Sequence, residues 1–323
     1  MSYMQQKSMF SLSKISMRSN VICLTVSLLF SAFFLTSCED AINIDTETGP
    51  SELVVDGWIT NKPGPQTVKL SLSASYFNNS PAKPALGAEV MITDDQGAIY
   101  KFTDEKGQGT YKWTPKSDTV ALGRIGGKYA LQIKYSGEEY TATNEIKRVP
   151  KIDSLTYQEE SFPINPPEGP RDGFLAQFYA RDFVGVGDTY WIKPLKSGKL
   201  YGTEPGDISL AFDASFGAGT PSDGLTFIQP LRQSINVNRL FSAGDTVGVE
   251  LHSITLESYF FLFQVRQEST NGGIFAVPPA NIPTNVSNEK PNGKKALGFF
   301  GASAVSRAET VIDPKKAKPK GSS

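Results

Sequence analysis

The chain has 323 residues, of which 39% are hydrophobic and 20% charged, enough apolar material to bury the core of one or two domains. Its 32 basic and 33 acidic residues include three bases before residue 38 and four in the last ten residues, so the body is acidic and a poor partner for nucleic acid. Cys23 and Cys38 are the only cysteines and His252 is the only histidine, which excludes disulfides behind Cys38 and any Cys/His zinc cluster.

The N-terminal segment has the parts of a secretory signal. A short basic region with Lys14 and Arg18 precedes an apolar run at 21–35, which is shorter than the roughly 20 residues that cross a bilayer as a helix. The run ends in Leu-Thr-Ser-Cys at 35–38, which is similar to a bacterial lipobox. We therefore expect 1–37 to be a lipoprotein signal peptide and Cys38 to carry acyl chains such as palmitate. The alternative is an ordinary signal peptide with an incidental cysteine.

An acidic, turn-rich stretch follows at 38–50 and is predicted to be a tether between lipid and body. Acidic residues directly after the lipidated cysteine also resemble the surface-export signals of Bacteroidota lipoproteins. The expected location is therefore the outer membrane, lipid-anchored and surface-exposed. A tether without an export role, in the periplasmic leaflet, remains open.

Residues 51–148 alternate apolar and polar side chains over short runs separated by turns, as at Val68, Leu70 and Leu72. No helical period appears. The pattern predicts an Ig-like antiparallel β-sandwich domain, without a Cys-Trp-Cys core. Asp-Asp-Gln-Gly at 94–97 lacks the ligand spacing of a calcium loop and is predicted to be a turn.

Residues 149–312 are predicted to form a second β-rich domain, because Pro150 interrupts any strand at the boundary. The period becomes helical near 255–269, with Thr255 as the N-cap and Asn271 at the end, so one packed helix is expected. Residues 313–323 are basic and predicted to be disordered. The candidate strands are 174–180, 190–192, 208–212, 225–228, 247–251 and 296–304.

Few residues suit catalysis, and we expect no catalytic residue, no metal site and no cofactor. His252 alternates with the apolar positions of its strand and is interpreted as an exposed or hydrogen-bonded strand histidine. The adjacent carboxylates at 94–95 and 138–139 fall in turns, and such neighbours on a strand point to opposite faces. A glycan hydrolase would have to use His252 or Asp95.

Aromatic side chains can stack on sugars, and Tyr76, Phe77 and Asn78, in a Pro- and Ser-rich loop, are the candidate ligand-binding residues. Trp58, Trp113 and Trp191 fall within predicted strands and are interpreted as core.

Three Asp-Ser/Thr-apolar triplets resemble the acceptor pattern of Bacteroidota O-glycosylation. They make Thr119, Ser154 and Thr246 candidate modification sites.

Several motifs carry a family resemblance through their order and spacing. They are the lipobox, LVVDGWIT at 53–60, TVKLS at 67–71, AEVMITDD at 88–95, VPKIDS at 149–154, GDTV at 244–247, PPAN at 278–281 and ALGFFGA at 296–302. In this order they resemble the Bacteroidota lipoproteins of domain of unknown function 4249. The resemblance supplies no catalytic residues, and it implies an accessory role beside TonB-dependent outer-membrane transporters.

The sequence therefore leads us to expect a non-enzymatic outer-membrane lipoprotein, held in the lipid bilayer by Cys38, that binds a ligand or assists a TonB-dependent transporter. A structural or adhesive surface lipoprotein without a transporter is the alternative, and a surface hydrolase is a third.

Overall fold

The computed structural model describes residues 49–75, 78, 80–166, 169–237, 239–272, 277–278 and 280–321. The predicted signal peptide, Cys38, the tether up to residue 48, Tyr76 and Phe77 lie outside the described residues.

Strands dominate the described residues, which also contain one longer helix and a few short helical segments. The strands are β1 (Leu53–Thr60), β2 (Gln66–Leu72), β3 (Lys83–Pro84), β4 (Glu89–Asp94), β5 (Ile99–Phe102), β6 (Thr110–Trp113), β7 (Lys128–Tyr135), β8 (Glu138–Glu145), β9 (Ile152–Ser161), β10 (Asp172–Ala180), β11 (Thr189–Lys196), β12 (Lys199–Leu200), β13 (Ser209–Phe212), β14 (Thr246–Ile254), β15 (Ser287–Asn288) and β16 (Ala296–Val311). The helices are α1 (Gln229–Gln233) and α2 (Leu256–Thr270), with 3₁₀ turns at Pro205–Asp207, Ser234–Asn236 and Pro314–Lys316.

The strands form three sheets. The largest runs in the order β12-β11-β14-β16-β1-β2-β3, with β13 beside β11 and β6 beside β2. A second sheet has the order β15-β8-β7-β4-β5, and β9 pairs with β10 alone. The predicted fold class is confirmed: the chain is mainly β, its sheets are built largely from antiparallel pairs in a sandwich-like arrangement, and one helix packs on them. One pair departs from the expectation, because β1 and β16 run parallel.

Alternating side chains make the first core. β1 and β2 bury Ile59 and Val68 on one face, and β4 and β7 of the second sheet bury Ile92 and Leu131 against it. Because successive strand residues point to opposite faces, the period-two pattern in the sequence marks the residues that meet between the sheets.

A second core lies between the β9–β10 pair and the far half of the large sheet. Phe178 of β10 and Tyr190, Val249 and Leu251 of β11 and β14 are fully buried there, together with Leu231 of α1. Val249 and Leu251, which alternate along β14, thus face this core.

β16 links the two cores. Residues 296–303 pair with β1, and residues 304–311 pair with β14, so the strand continues well past its predicted end at residue 304. Residues 50–323 form one compact unit. β16 pairs with β1 and β14, which lie on opposite sides of the domain boundary predicted at residue 148, so it connects the two predicted domains. The division into two domains stays a prediction.

Two glycines permit the β1–β16 pairing. Gly298 has a positive φ of 85°, and a Cβ there would lie 2.0 Å from the carbonyl oxygen of Val55. At Gly301 a Cβ would lie 2.2 Å from the ring of Trp58. Any larger residue at either place would force the two strands apart.

The helix expected near 255–269 is confirmed at Leu256–Thr270. Thr255 caps it by accepting a hydrogen bond from the Ser258 amide, and Asn271 follows its last turn. No helix among the described residues has the length and apolar character needed to cross a membrane.

The strand predicted at 225–228 is wrong. Only an isolated bridge joins Thr226 to Arg181, and α1 begins at Gln229 with Pro230 in its first turn. Proline is favoured at that place because the first helical amides have no partner in the helix.

The disorder predicted for 313–323 is also wrong for the described part, which ends at residue 321. Lys318 bridges Gln158 of β9 in parallel, its amide donating to the Tyr157 carbonyl at 3.0 Å. Lys320 Nζ lies 2.9 Å from Glu160 Oε1. The free backbone edge and the acidic side chain of β9 together order this basic segment.

Candidate functional site

The predicted site residues within the described ranges lie on separate elements. Asn78 is exposed and accepts the Ser80 amide at 2.9 Å, which is a local turn. Thr119 is exposed in a loop, Ser154 is exposed on β9, and Thr246 is half-buried at the start of β14. The structure therefore brings none of these together into one site, and their modification stays a prediction.

A cleft of about 820 Å³, here named the α2 cleft, opens on the surface of the described residues. It opens where β8 ends, beside the loop between β10 and β11 and the first turn of α2. Its walls are Lys128, Thr143, Asn144, Glu145, Lys147, Arg148, residues 185–189 and residues 254–257.

Charges of both signs line the α2 cleft. Arg148 Nη2 lies 2.8 Å from Asp188 Oδ2, and this hydrogen bond raises the pKa of the guanidinium. Lys147 pairs with Glu145. Within the described part of the chain, Lys128 forms no ion pair, so its ammonium group is available to a ligand or partner.

The floor of the cleft is held rigidly by Asn144, which is 8% exposed. Its Nδ2 donates to the carbonyl of Phe300 at 3.0 Å and to Ser258 Oγ at 3.3 Å. These bonds join β8, β16 and α2 at one point. A buried amide with its bonds satisfied fixes the relative placement of the elements around it.

The opposite wall is the glycine-rich segment 185–187, a turn in which φ is 123° at Gly185 and 107° at Gly187. Side chains from outside the segment hold its backbone: the Gly187 and Asp188 amides donate to Asp213 Oδ1 at 2.7 and 3.0 Å, and the Gly185 amide donates to Asp223 Oδ1 at 2.9 Å.

A second polar group lies on the outer face of the large sheet, and we name it the His252 cluster: Lys62, Glu250, His252, Ser303 and Arg307. His252 is only 4% exposed, so the exposed interpretation is wrong and the hydrogen-bonded one is confirmed. Its Nδ1 lies 2.9 Å from Ser303 Oγ and its Nε2 lies 3.2 Å from Glu250 Oε2. Lys62 Nζ and Arg307 Nη1 lie 2.5 and 3.1 Å from Glu250 Oε1.

The surroundings decide the charges in the His252 cluster. Burial lowers the pKa of His252 to about 3, aided by the positive charge of Lys193 and opposed by Glu250. Burial alone would raise the pKa of Glu250, but the hydrogen bonds from His252 and Lys62 outweigh it and lower the pKa to about 2. At neutral pH His252 is therefore neutral and Glu250 is ionised.

The tautomer of His252 follows from its partners. An ionised carboxylate only accepts hydrogen bonds, so Nε2 carries the proton and donates it to Glu250. Nδ1 then accepts from the Ser303 hydroxyl. Serine, histidine and carboxylate in this order are the components of nucleophilic hydrolysis. Ser303 is 1% exposed, however, and none of the three residues lines the α2 cleft, so a substrate does not reach the hydroxyl in this conformation.

Aromatic rings cover the His252 cluster. Trp58 and Trp191 meet edge to face at 5.2 Å, and Lys193 Nζ lies 3.5 Å from the centre of the Trp191 ring. Burial lowers the pKa of Lys193 to about 8. Both tryptophans lie in strands, as predicted, but they are half-buried against the core and are not part of its buried interior.

Sequence reasoning missed two members of the cluster: Ser303, which hydrogen-bonds His252, and Lys62, which pairs with Glu250. The alternation in β14 places Glu250 and His252 on one face, and that was the available signal. The partners come from positions far along the chain, so no local spacing could point to them.

A mainly β, sandwich-like protein with a polar, mixed-charge surface cleft is the class that the fold and site define. A family model described as Domain of unknown function (DUF4249) matches residues 39–309, and the chain belongs to this family. No curated protein matches the chain.

Proposed function

We propose that this protein is a non-enzymatic outer-membrane lipoprotein of the Bacteroidota type, exposed at the cell surface, that serves as an accessory or ligand-binding partner of a TonB-dependent transporter. The anchoring part rests on the lipobox at 35–38. Each buried methylene contributes about 0.8 kcal/mol, so several acyl chains on Cys38 hold the body stably at the membrane.

The α2 cleft is the observation that carries the binding part of the proposal. Its Asn144 floor and its hydrogen-bonded 185–187 wall are preorganised, which lowers the ordering cost of binding. Its acids and bases are paired for the most part, so it suits a polar ligand or a polar segment of a partner better than a strongly charged one.

The His252 cluster supports a non-enzymatic role. Its serine and histidine are buried, and its five members come from three segments that the cluster ties together: the bend after β1, β14 and β16. The closed geometry favours a structural cross-link over a reaction centre.

The test of partnership is recovery of a transporter with the tagged full chain from outer membranes solubilised in mild detergent. We expect a TonB-dependent transporter to be recovered with the wild type, and Cys38→Ala to lose the membrane fraction altogether. A protein that is recovered alone favours the structural or adhesive alternative.

The cleft has its own test on β7. Lys128 lines the cleft, whereas Lys134 lies on the same strand, pairs with Glu139 and does not line it. We expect Lys128→Glu to lower transporter recovery several-fold and Lys134→Glu to leave it unchanged, because only the first reverses charge inside the cleft. Equal recovery from both variants would assign binding to another surface.

A further inference from the structure

Three aspartates from distant segments converge behind the 185–187 wall of the cleft. Asp182 follows β10, Asp213 follows β13, and Asp223 lies in the loop before α1. Each offers one carboxylate oxygen, and these oxygens all lie within 4.8 Å of one another.

The three carboxylates are withdrawn from water. Asp182 is 3% and Asp213 2% exposed, and Asp223 is half-buried. In the described part of the chain no Lys or Arg forms an ion pair with any of them; the nearby Arg148 is paired with Asp188. Buried like charges at this separation repel each other strongly unless a cation lies among them.

One oxygen of the cluster is left without a partner. Asp182 Oδ1 accepts the Tyr190 hydroxyl at 2.5 Å, whereas Oδ2 is buried and has no hydrogen-bond partner. Burial and the charges of Asp188 and Asp213 raise the pKa of Asp182. An unsatisfied buried carboxylate oxygen costs free energy that ligation of a metal ion would recover.

We propose that the carboxylates of Asp182, Asp213 and Asp223 bind one calcium ion. The donor set is all oxygen, without histidine or cysteine, which suits a hard cation. Ca²⁺ accepts flexible sets of several protein carboxylates, whereas Mg²⁺ usually keeps several waters and binds through only one or two carboxylates. Three convergent carboxylates therefore favour Ca²⁺ over Mg²⁺.

The ion acts on the wall of the α2 cleft. Asp213 and Asp223 already hold the amides of Gly185, Gly187 and Asp188. Calcium fastens these side chains to Asp182 at the end of β10, and so it fixes the segment that faces the cleft. This inference does not rest on the proposed function, because calcium binding is measured on the isolated chain.

The experiment uses the full chain in mild detergent, freed of metal with a chelator. Titration with CaCl₂ in a calorimeter is expected to give saturable heat at one Ca²⁺ per chain. The melting temperature is expected to be several degrees higher in CaCl₂ than in EDTA and to rise further with CaCl₂ concentration. MgCl₂ is expected to give a clearly smaller shift.

Matched variants separate binding from folding. Asp182→Asn and Asp213→Asn should abolish the calcium heat and the shift, while melting in EDTA no lower than the wild type because they remove buried repulsion. Asp95→Asn, a partly exposed carboxylate paired with Arg124, should keep both responses. If the first two variants fail to fold, Asp223→Asn, which changes the half-buried ligand, should also lose the calcium heat and the shift in melting temperature.

The proposal is overturned if the wild type shows no heat with CaCl₂ and melts alike in CaCl₂ and EDTA. It is likewise overturned if Asp95→Asn loses the response along with the cluster variants, or if MgCl₂ acts as strongly as CaCl₂.

Discussion

At the scale of single residues, burial changes what the one histidine can do. His252 is enclosed between Glu250 and Ser303, and burial holds its pKa near 3, far below the 6.5 of an exposed imidazole. It is therefore a neutral hydrogen-bonding link between β14 and β16 and does not switch charge in the physiological range.

We expect the imidazole resonances of His252, which are unique in the chain, to show no titration between pH 8 and pH 5, with the proton on Nε2. Because the folded pKa lies below the unfolded one, the unfolded state binds more protons between pH 6.5 and pH 3. The contribution of the neutral His252 to the free energy of unfolding is then complete above pH 6.5. The free energy of unfolding falls by about 2 kcal/mol between pH 7 and pH 5. Urea unfolding at both pH values measures this loss.

The control for that prediction is His252→Gln, which keeps a polar side chain without a titrating group. Its stability should change far less between pH 7 and pH 5 than that of the wild type. An imidazole that titrates near pH 6.5 in the folded protein would contradict the buried, neutral assignment.

At the scale of elements, α2 owes its position to its first turn. Thr255 Oγ1 accepts from the Ser258 amide at 3.3 Å, and Ser258 in turn contacts the Asn144 side chain on the cleft floor. Tyr259 and Leu262 are buried against the large sheet, whereas Phe260 remains half exposed. The helix therefore begins at the cleft and packs against the large sheet through a narrow stripe of buried side chains.

Removing the cap should weaken the helix where it meets the cleft. We expect Thr255→Ala to lower the free energy of unfolding by about 1 kcal/mol, because a first-turn amide loses its acceptor. Thr255→Ser keeps the hydroxyl and should stay close to the wild type in the same urea titration. Equal stability of all three proteins would show that the cap contributes nothing here.

At the scale of the whole molecule, β16 is the shared element. Its first half lies beside β1 and contributes Phe300 and Ala302 to the first core, and its second half lies beside β14 above the second core. Loss of either core removes one partner of this strand, so the cores should not unfold independently.

We expect residues 50–323 to unfold in one calorimetric transition, with the van't Hoff enthalpy equal to the calorimetric enthalpy. A fragment that ends at residue 148 lacks β16, and we expect it not to fold alone. Two separate transitions, or a folded fragment, would support the two-domain division that the sequence predicted.

Much of the architecture follows from local sequence. Alternation at Val68 and Leu70 and at Val247 and Val249 marks buried strand faces, because a strand repeats its facing every second residue. Thr255 indicates the start of α2 because its hydroxyl can accept a hydrogen bond from a first-turn amide that has no partner within the helix. The strand prediction at 225–228 failed because a short apolar run occurs both in strands and in segments that lead into a helix.

What the sequence by itself determined is thus the mainly β class, a packed helix with its cap at Thr255, the Leu-Thr-Ser-Cys segment on which the proposed anchoring rests, and the presence of only one histidine and two cysteines. Only the tertiary structure decided the parallel pairing of β1 with β16, the enclosure of His252, the docking of Lys318 on β9 and the meeting of Asp182, Asp213 and Asp223. Periodicity and capping act within a few residues, whereas these contacts join segments tens to hundreds of residues apart, and only packing of the whole chain selects such partners.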